Sequence, residues 1–279
     1  MSATWRLSAD PREFAAQAGR FIAAERERNV IATVAGDALA GAYRQTHFAW
    51  AGTPAGEIVA AGLRTAPWPL LVAGLDDQLA ASLVAAWLER DPELPGVGGP
   101  AESSRALAGA WREATGGTTL LLMREAMHAL SRVTPPARPA SGELRLATLA
   151  DLELLVAWEV AFRLEARVAT SGEEERAVRR RIEKRAQYVW QDGAAVSTLG
   201  RSAAVARVTR IGPVYTPPEW RGRGYASAAV AAASQLALES DADTCMLLTD
   251  LANPTSNRIY AALGYRRFAE WEDHSFSLA

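Results

Sequence analysis

The chain has 279 residues and a formal net charge of −2, enough length for two modest domains or one large one and no broad basic surface. That charge balance argues against nucleic acid as the main partner. Hydrophobic residues make up 49% of the chain, which supports sizeable cores, and Cys245 is its single cysteine, so no disulfide framework or cysteine-based zinc site can form within one chain.

Met1 to Phe14 carries charged and polar residues throughout, without the apolar stretch of a signal peptide. No run reaches membrane-spanning length, and the expected location is the cytoplasm with no membrane partner. Asp10-Pro11-Arg12-Glu13 predicts a helix start, and a second helical stretch runs to about Gly36. His47 to Trp50 and Ile58 to Leu63 read as strands around a Gly-Thr-Pro-Ala-Gly turn, followed by a strand from Trp68 to Ala73. After Gly74-Leu75-Asp76-Asp77-Gln78 comes an amphipathic helix to about Glu89, then a helix from Ala101 to Ala114 and a strand from Thr118 to Met123. Trp87 and Trp111 occupy helical positions that read as core.

Thr134-Pro135-Pro136-Ala137-Arg138-Pro139-Ala140-Ser141-Gly142 is too proline-rich for a helix or central strand and reads as a semi-rigid linker. The expected division is therefore 1–133, a linker over 134–142, and a second domain over 143–279. Glu143 to Ala147 is a predicted strand, and Thr148 with Asp151 forms a capping-box signal ahead of a helix whose Leu155, Trp158 and Phe162 should face the core. Ser171 with Glu174 repeats that signal before an arginine-rich helix. Tyr188 to Trp190 and Ala195 to Leu199 flank Gln191-Asp192-Gly193 as a hairpin.

A strand from Val205 to Tyr215 then leads into Arg221-Gly222-Arg223-Gly224-Tyr225-Ala226, which opens a long alanine-rich helix. Glycines at a helix start let backbone N–H groups converge on an anion, aided by the unpaired donors and positive dipole end of the helix. Arg221 and Arg223 can add charge-assisted contacts to a pyrophosphate. Next come an apolar run, Thr244 to Leu251, and a short helix with Asn253 as N-cap, Pro254 at its first position and Gly264 at its stop.

At these two motifs the sequence resembles the GCN5-related N-acetyltransferase superfamily. The acetyl-coenzyme A loop pattern Q/R-x-x-G-x-G/A is matched by Arg221, Gly224 and Ala226. The pattern of the next helix, N-x-x-A/S-x-x-(apolar)-Y-x-x-x-G-F/Y, is matched by Asn253, Ser256, Ile259, Tyr260, Gly264 and Tyr265. The resemblance covers the second half, from about Gly142, and implies an α/β fold with a mixed sheet in the order strand, two helices, hairpin, long strand, helix, strand, helix, strand. The first half reads as a worn copy of that order, giving a tandem of two units. Asp76 and Asp77 stand where the phosphate loop should be and would repel a pyrophosphate. An unrelated α/β lobe whose alternation mimics the repeat is the alternative.

The resemblance implies an acyl-coenzyme A dependent N-acyltransferase in which an amine of a small molecule or peptide attacks the thioester directly, with acetyl-coenzyme A as cosubstrate and no metal. Coenzyme contacts are expected from Val214, Tyr215, Arg221, Gly222, Arg223, Gly224, Tyr225, Ala226, Asn253 and Ser256. Gly212 and Pro213 mark a break in strand pairing, which frees a backbone N–H, plausibly that of Val214, to polarise the thioester oxygen. Tyr260 matches the tyrosine that protonates the departing thiolate; a helix tyrosine packed on the sheet is the structural alternative. Arg207 to Thr216 contains no carboxylate for a general base. Asp250 and Glu219 are candidates, beside a water chain or the carboxylate of Ala279. His47 and His128 show no metal-ligand spacing, and His274 reads as an ordinary strand residue. Trp220 can cover the phosphate turn or lie against the adenine end, with simple packing as the structural alternative. Glu165, Glu270, Glu272 and Asp273 fall on the first helices and last hairpin, where substrates bind in this family, and could hold a cationic amine. A homodimer is among the assemblies allowed. Rival readings are a relative with another acyl donor or acceptor and a non-catalytic acyl-coenzyme A sensor.

Overall fold

A computed structural model describes residues 3–166, 170 and 172–278. Ser171 of the second capping signal and Ala279 lie outside the described residues. Compaction divides the chain into two units: residues 1–127 with 248–253 and 267–279, and residues 128–247 with 254–266. This differs from a single break at 134–142, because that segment counts with the second unit and the C-terminal strand counts with the first.

The first unit runs β1 (Thr4–Ser8), α1 (Pro11–Ala24), α2 (Asn29–Leu39), β2 (Thr46–Gly52), β3 (Ile58–Thr65), β4 (Leu70–Ala73), α3 (Asp77–Leu88), β5 (Gly96–Pro100), α4 (Ala101–Thr115) and the start of β6 (Thr118–Leu130). Asp10 caps α1 by accepting from the Arg12 N–H at 2.8 Å, and Pro11 takes the first helical position. The strands lie in the order β1-β2-β3-β4-β5-β12-β6, where β12 is Arg266–Ser277. Strand β12 runs antiparallel to β5 with Trp271 opposite Pro100 and Ser275 opposite Gly96. The structure adds a strand at Gly96–Pro100 to which the sequence reading gave no element. Two of its glycines are needed for close approach, since a Cβ at Gly96 or Gly99 would come within 2.2–2.3 Å of the His274 or Val72 carbonyl oxygen. Glu270, Glu272 and Asp273, expected on a last hairpin, lie on the single strand β12. Trp87 and Trp111 are fully buried, with Trp111 stacked on Phe276 at 4.4 Å.

The second unit repeats the order: β7 (Glu143–Leu146), α5 (Leu152–Glu165), α6 (Glu174–Glu183), β8 (Gln187–Asp192), β9 (Ala194–Arg201), β10 (Val208–Tyr215), α7 (Tyr225–Ser240), the start of β11 (Thr244–Asp250) and α8 (Pro254–Ala262), with strands ordered β7-β8-β9-β10-β11. The capping box of Thr148 and Asp151 is present, and the Arg145 guanidinium beside Asp151 holds its carboxyl down at about 2. Leu155 and Trp158 are buried, and Phe162 packs against their cluster. Buried Glu159 ties α5 to α6, accepting from Arg163 Nε at 3.0 Å and from an Arg181 terminal nitrogen at 2.6 Å. Strand β10 starts at Val208, later than expected, because Ala206 (φ 47°) and Arg207 (φ 62°) turn the chain so that Val205 bridges back to Val208. Along α7, Ala229, Ala233 and Ala237 are fully buried at i, i+4, i+8. Their small side chains let the helix lie close on the sheet, which fixes its first turn at the end of β10.

Candidate active site

The site grows from the end of β10. Antiparallel pairing with β9 slips between Ile211, opposite Arg201, and Val214, opposite Leu199, and the slip is filled by Gly212-Pro213. Proline has no N–H for the ladder, so pairing breaks here as expected. On its other side β10 pairs in parallel with β11 only over Val208–Arg210 opposite Thr244–Met246. Val214 stands directly after the slip in the pairing with β9.

Past Tyr215 the chain makes a short 3-10 turn, Pro218–Trp220, and then the glycine loop. Gly222 (φ 77°) and Gly224 (φ 85°) both take the left-handed conformation that penalises any side chain. Gly224 is the N-cap of α7 and brings no side chain to its first turn, so the opening N–H groups of a 16-residue helix are left to an outside acceptor. In the first unit the equivalent helix is closed. Asp76, the N-cap of α3, accepts from the Leu79 N–H at 2.8 Å, so a carboxylate already sits where an anion would bind.

Side chains around the loop are tied in. Arg221 donates from Nε to the Thr216 carbonyl at 2.8 Å and from a terminal nitrogen to Glu165 Oε2 at 2.6 Å. The Tyr215 hydroxyl donates to Glu165 Oε1 at 2.9 Å, and burial, followed by this carboxylate, pushes the phenol up. Arg221 thus serves the loop itself, and Glu165 has both oxygens engaged, unlike a free amine-holding carboxylate. Arg223 lies 4.9 Å above the half-buried Trp220 ring, which meets Tyr225 edge-on at 6.4 Å; its guanidinium reaches the Glu219 carbonyl at 3.4 Å. The Tyr225 hydroxyl donates to Asp192 at 2.6 Å. Ala226 lies in the first turn of α7.

In α8 of the same unit, Ser256 and Tyr260 are half-buried. Tyr260 packs edge-on to Tyr265 at 6.1 Å, and burial pushes its phenol up to about 12. Its hydroxyl therefore stays protonated at neutral pH. Asp250 and Asn253 fall by compactness in the first unit. There the Asp250 carboxylate accepts from the Ala252 N–H at 2.8 Å and its carbonyl from the Asn253 N–H at 3.0 Å, so both groups shape a turn. The other acidic candidates are also in the first unit. Glu270 pairs with Arg124 and Arg267, Glu272 with Arg105, Arg124 and His274, and burial pushes the Asp273 carboxyl up to about 6. No grouping of His, Cys, Asp and Glu among the described residues could hold a metal ion, and no helix is long and apolar enough to cross a membrane.

The left-handed glycines and the break in β10 were legible in the sequence, whereas the partners of the loop were not. That Glu165 reaches Arg221, or that Asp192 reaches Tyr225, depends on contacts 56 and 33 residues apart, for which a single sequence carries no signal.

Residues 196–273, which span this site's strand, loop and helix, match the family described as FR47-like protein. No curated protein matches the chain. Among solved structures, a GNAT-family acetyltransferase from Colwellia psychrerythraea is similar over 99% of this chain and 100% of its own, at 11% identity and a TM-score of 0.58. A GCN5-related N-acetyltransferase from Sphaerobacter thermophilus is similar over 97% and 95%, at 17% identity and a TM-score of 0.59. A tandem GNAT protein from the clavulanic acid biosynthesis pathway is similar over 98% of both chains, at 14% identity and a TM-score of 0.61. With these full-length likenesses and the repeated element order, the chain is a tandem-unit protein with the fold of the GCN5-related N-acetyltransferase superfamily.

Proposed function

We propose that the second unit binds acyl-coenzyme A, with acetyl-coenzyme A as the donor, and transfers its acyl group to a primary amine. The observation that carries this reading is the junction of β10 and α7: two left-handed glycines and a helix start with no side-chain cap, directly after the break in pairing at Gly212-Pro213. The second unit supplies a phosphate cradle beside a broken strand, and the first unit, with Asp76 in its cradle, supplies none. Gly222, Gly224, Tyr225 and Ala226 offer backbone donors to the pyrophosphate; Arg223 adds charge, and Arg221 holds the loop in shape.

The chemistry asked of the chain is modest. The amine nitrogen forms a bond to the thioester carbonyl carbon, the carbon–sulfur bond breaks, and the thiolate needs a proton. The Val214 N–H, freed by the slip, polarises the carbonyl oxygen. Tyr260, neutral up to about pH 12, donates the proton to sulfur. Water removes the amine proton in this reading: β10 has no carboxylate, those of Glu165 and Asp250 are engaged by neighbouring donors, and Glu219 is exposed on the turn before the loop.

That missing base favours one second reading, an acyl-coenzyme A sensor that binds without turnover. Thiol release from acetyl-coenzyme A across a panel of small amines and peptides separates them. Release above the no-acceptor rate with any amine supports the transferase. Tight coenzyme binding with no release across the panel supports the sensor.

A further inference from the structure

The proline-rich segment does more than join two domains. Three contacts fix its end to the β8–β9 hairpin of its own unit. The Trp190 indole N–H donates to the Ser141 carbonyl at 2.8 Å. The Ser141 hydroxyl donates to Asp192 Oδ2 at 2.5 Å. Gly142 takes φ 95° over Gln191, where a Cβ would stand 2.2 Å from the Gln191 carbonyl oxygen, so only glycine fits. The same Asp192 Oδ2 accepts from the Tyr225 hydroxyl at 2.6 Å. Tyr225 is the first residue of α7, and its ring is buried in the main cluster of the unit. The space a Cβ on Gly224 would take is bounded by Ala140 Cβ at 3.8 Å and the Arg138 carbonyl at 3.9 Å.

One carboxylate oxygen therefore joins three elements: the hairpin, the segment before β7 and the helix whose N-terminus forms the cradle. We propose that Asp192 is a positioning residue for the coenzyme, bracing the phosphate loop from behind by holding Tyr225 to Ser141, so that residues 138–142 form part of the coenzyme-binding apparatus. This rests on the coenzyme reading of the loop given above. A pair of left-handed glycines is inherently free to leave the anion-binding conformation, and an unbraced loop would have to be ordered when the ligand arrives. Asp192 does not touch the ligand. Its negative charge near the cradle opposes an anion, so its value lies in its hydrogen bonds, which also hold its carboxyl below the usual range.

The opposition of charge and geometry gives the test, in full-length protein titrated with coenzyme A by calorimetry, with thermal unfolding in parallel. Asp192→Ala removes the acceptor and should weaken coenzyme A binding about tenfold, the loss expected for a hydrogen bond to a charged group. Tyr225→Phe keeps the buried ring and should show a similar loss, and the double variant should be no weaker than either single one because all three lack the same bond. Asp192→Asn keeps an oxygen that accepts from both hydroxyls and drops the charge, so it should bind at least as tightly as the unaltered chain. A merely structural Asp192 would lower the unfolding temperature and leave affinity per folded molecule unchanged. If folded Asp192→Ala and Tyr225→Phe bind as the unaltered protein does, the brace is refuted. If the unaltered protein does not bind coenzyme A, the coenzyme reading itself has failed and the brace falls with it.

Discussion

Gly224 is the position where backbone conformation and ligand chemistry can be separated by two substitutions. Its φ is 85°, and the space a Cβ would occupy is open, the nearest atoms being 3.8 and 3.9 Å away. Gly224→Ala therefore meets no collision and costs about 1–2 kcal/mol, the penalty of an L-residue in the left-handed region. That corresponds to a loss of roughly 2–8 °C in unfolding temperature for a chain of this size class. Gly224→Glu pays the same strain but places a carboxylate at the positive end of α7, which returns about 0.3–1 kcal/mol, so it should be no less stable than the alanine variant. For coenzyme A the order reverses. A carboxylate about 4 Å from a phosphate at an effective dielectric near 20 opposes binding by about 4 kcal/mol. That is nearly a thousandfold in affinity, against a modest loss for alanine. Calorimetric titration with coenzyme A beside a melting curve reads both quantities. A folded Gly224→Glu variant that binds coenzyme A as tightly as Gly224→Ala would show that the phosphates are held elsewhere.

Other consequences can be measured independently. Tyr260→Phe keeps the packing against Tyr265 and removes only the hydroxyl, so turnover should fall about a hundredfold with coenzyme affinity retained; an unchanged chemical step would make Tyr260 structural. Glu159→Ala removes the acceptor that Arg163 and Arg181 share, leaving Arg163 near Glu174 and Arg181 on Gln187, and should destabilise the second unit by about 1–3 kcal/mol in denaturant titration; a change under about 0.5 kcal/mol would mean the shared acceptor adds nothing. Asp273 has a folded-state carboxyl pushed up to about 6, so the native state prefers it protonated. Its contribution is complete below the ordinary carboxylate value and is lost as pH rises through 6. Asp273→Asn should match the unaltered protein near pH 4 and exceed it in stability at pH 7, and equal stability at both pH values would contradict the assigned burial.

The sequence was legible where local chemistry decides the backbone. Left-handed glycines, the Asp10 cap, the capping box of Thr148 and Asp151, and the break at Gly212-Pro213 all appear in the structure at the residues that announced them. Strand β5 stayed hidden because two of its glycines answer to atoms of His274 and Val72, which only the folded sheet brings near. That Glu270, Glu272 and Asp273 share one strand instead of a hairpin was hidden for a related reason: Arg266–Ser277 contains polar residues whose partners, such as Arg105 for Glu272, lie far away in the chain. In the site, backbone donors could be read from glycine spacing, whereas Glu165 and Asp192 could not, since their importance lies in reaching Arg221 and Tyr225.

The central claim is a single coenzyme site, built on the uncapped start of α7 and missing from α3, where Asp76 fills the equivalent place. Titration of the intact chain with acetyl-coenzyme A tests it most directly. We predict one site per chain, with that site abolished by Gly224→Glu and untouched by Asp76→Ala. Two equivalent sites per chain, or a single site that survives Gly224→Glu, would contradict the account.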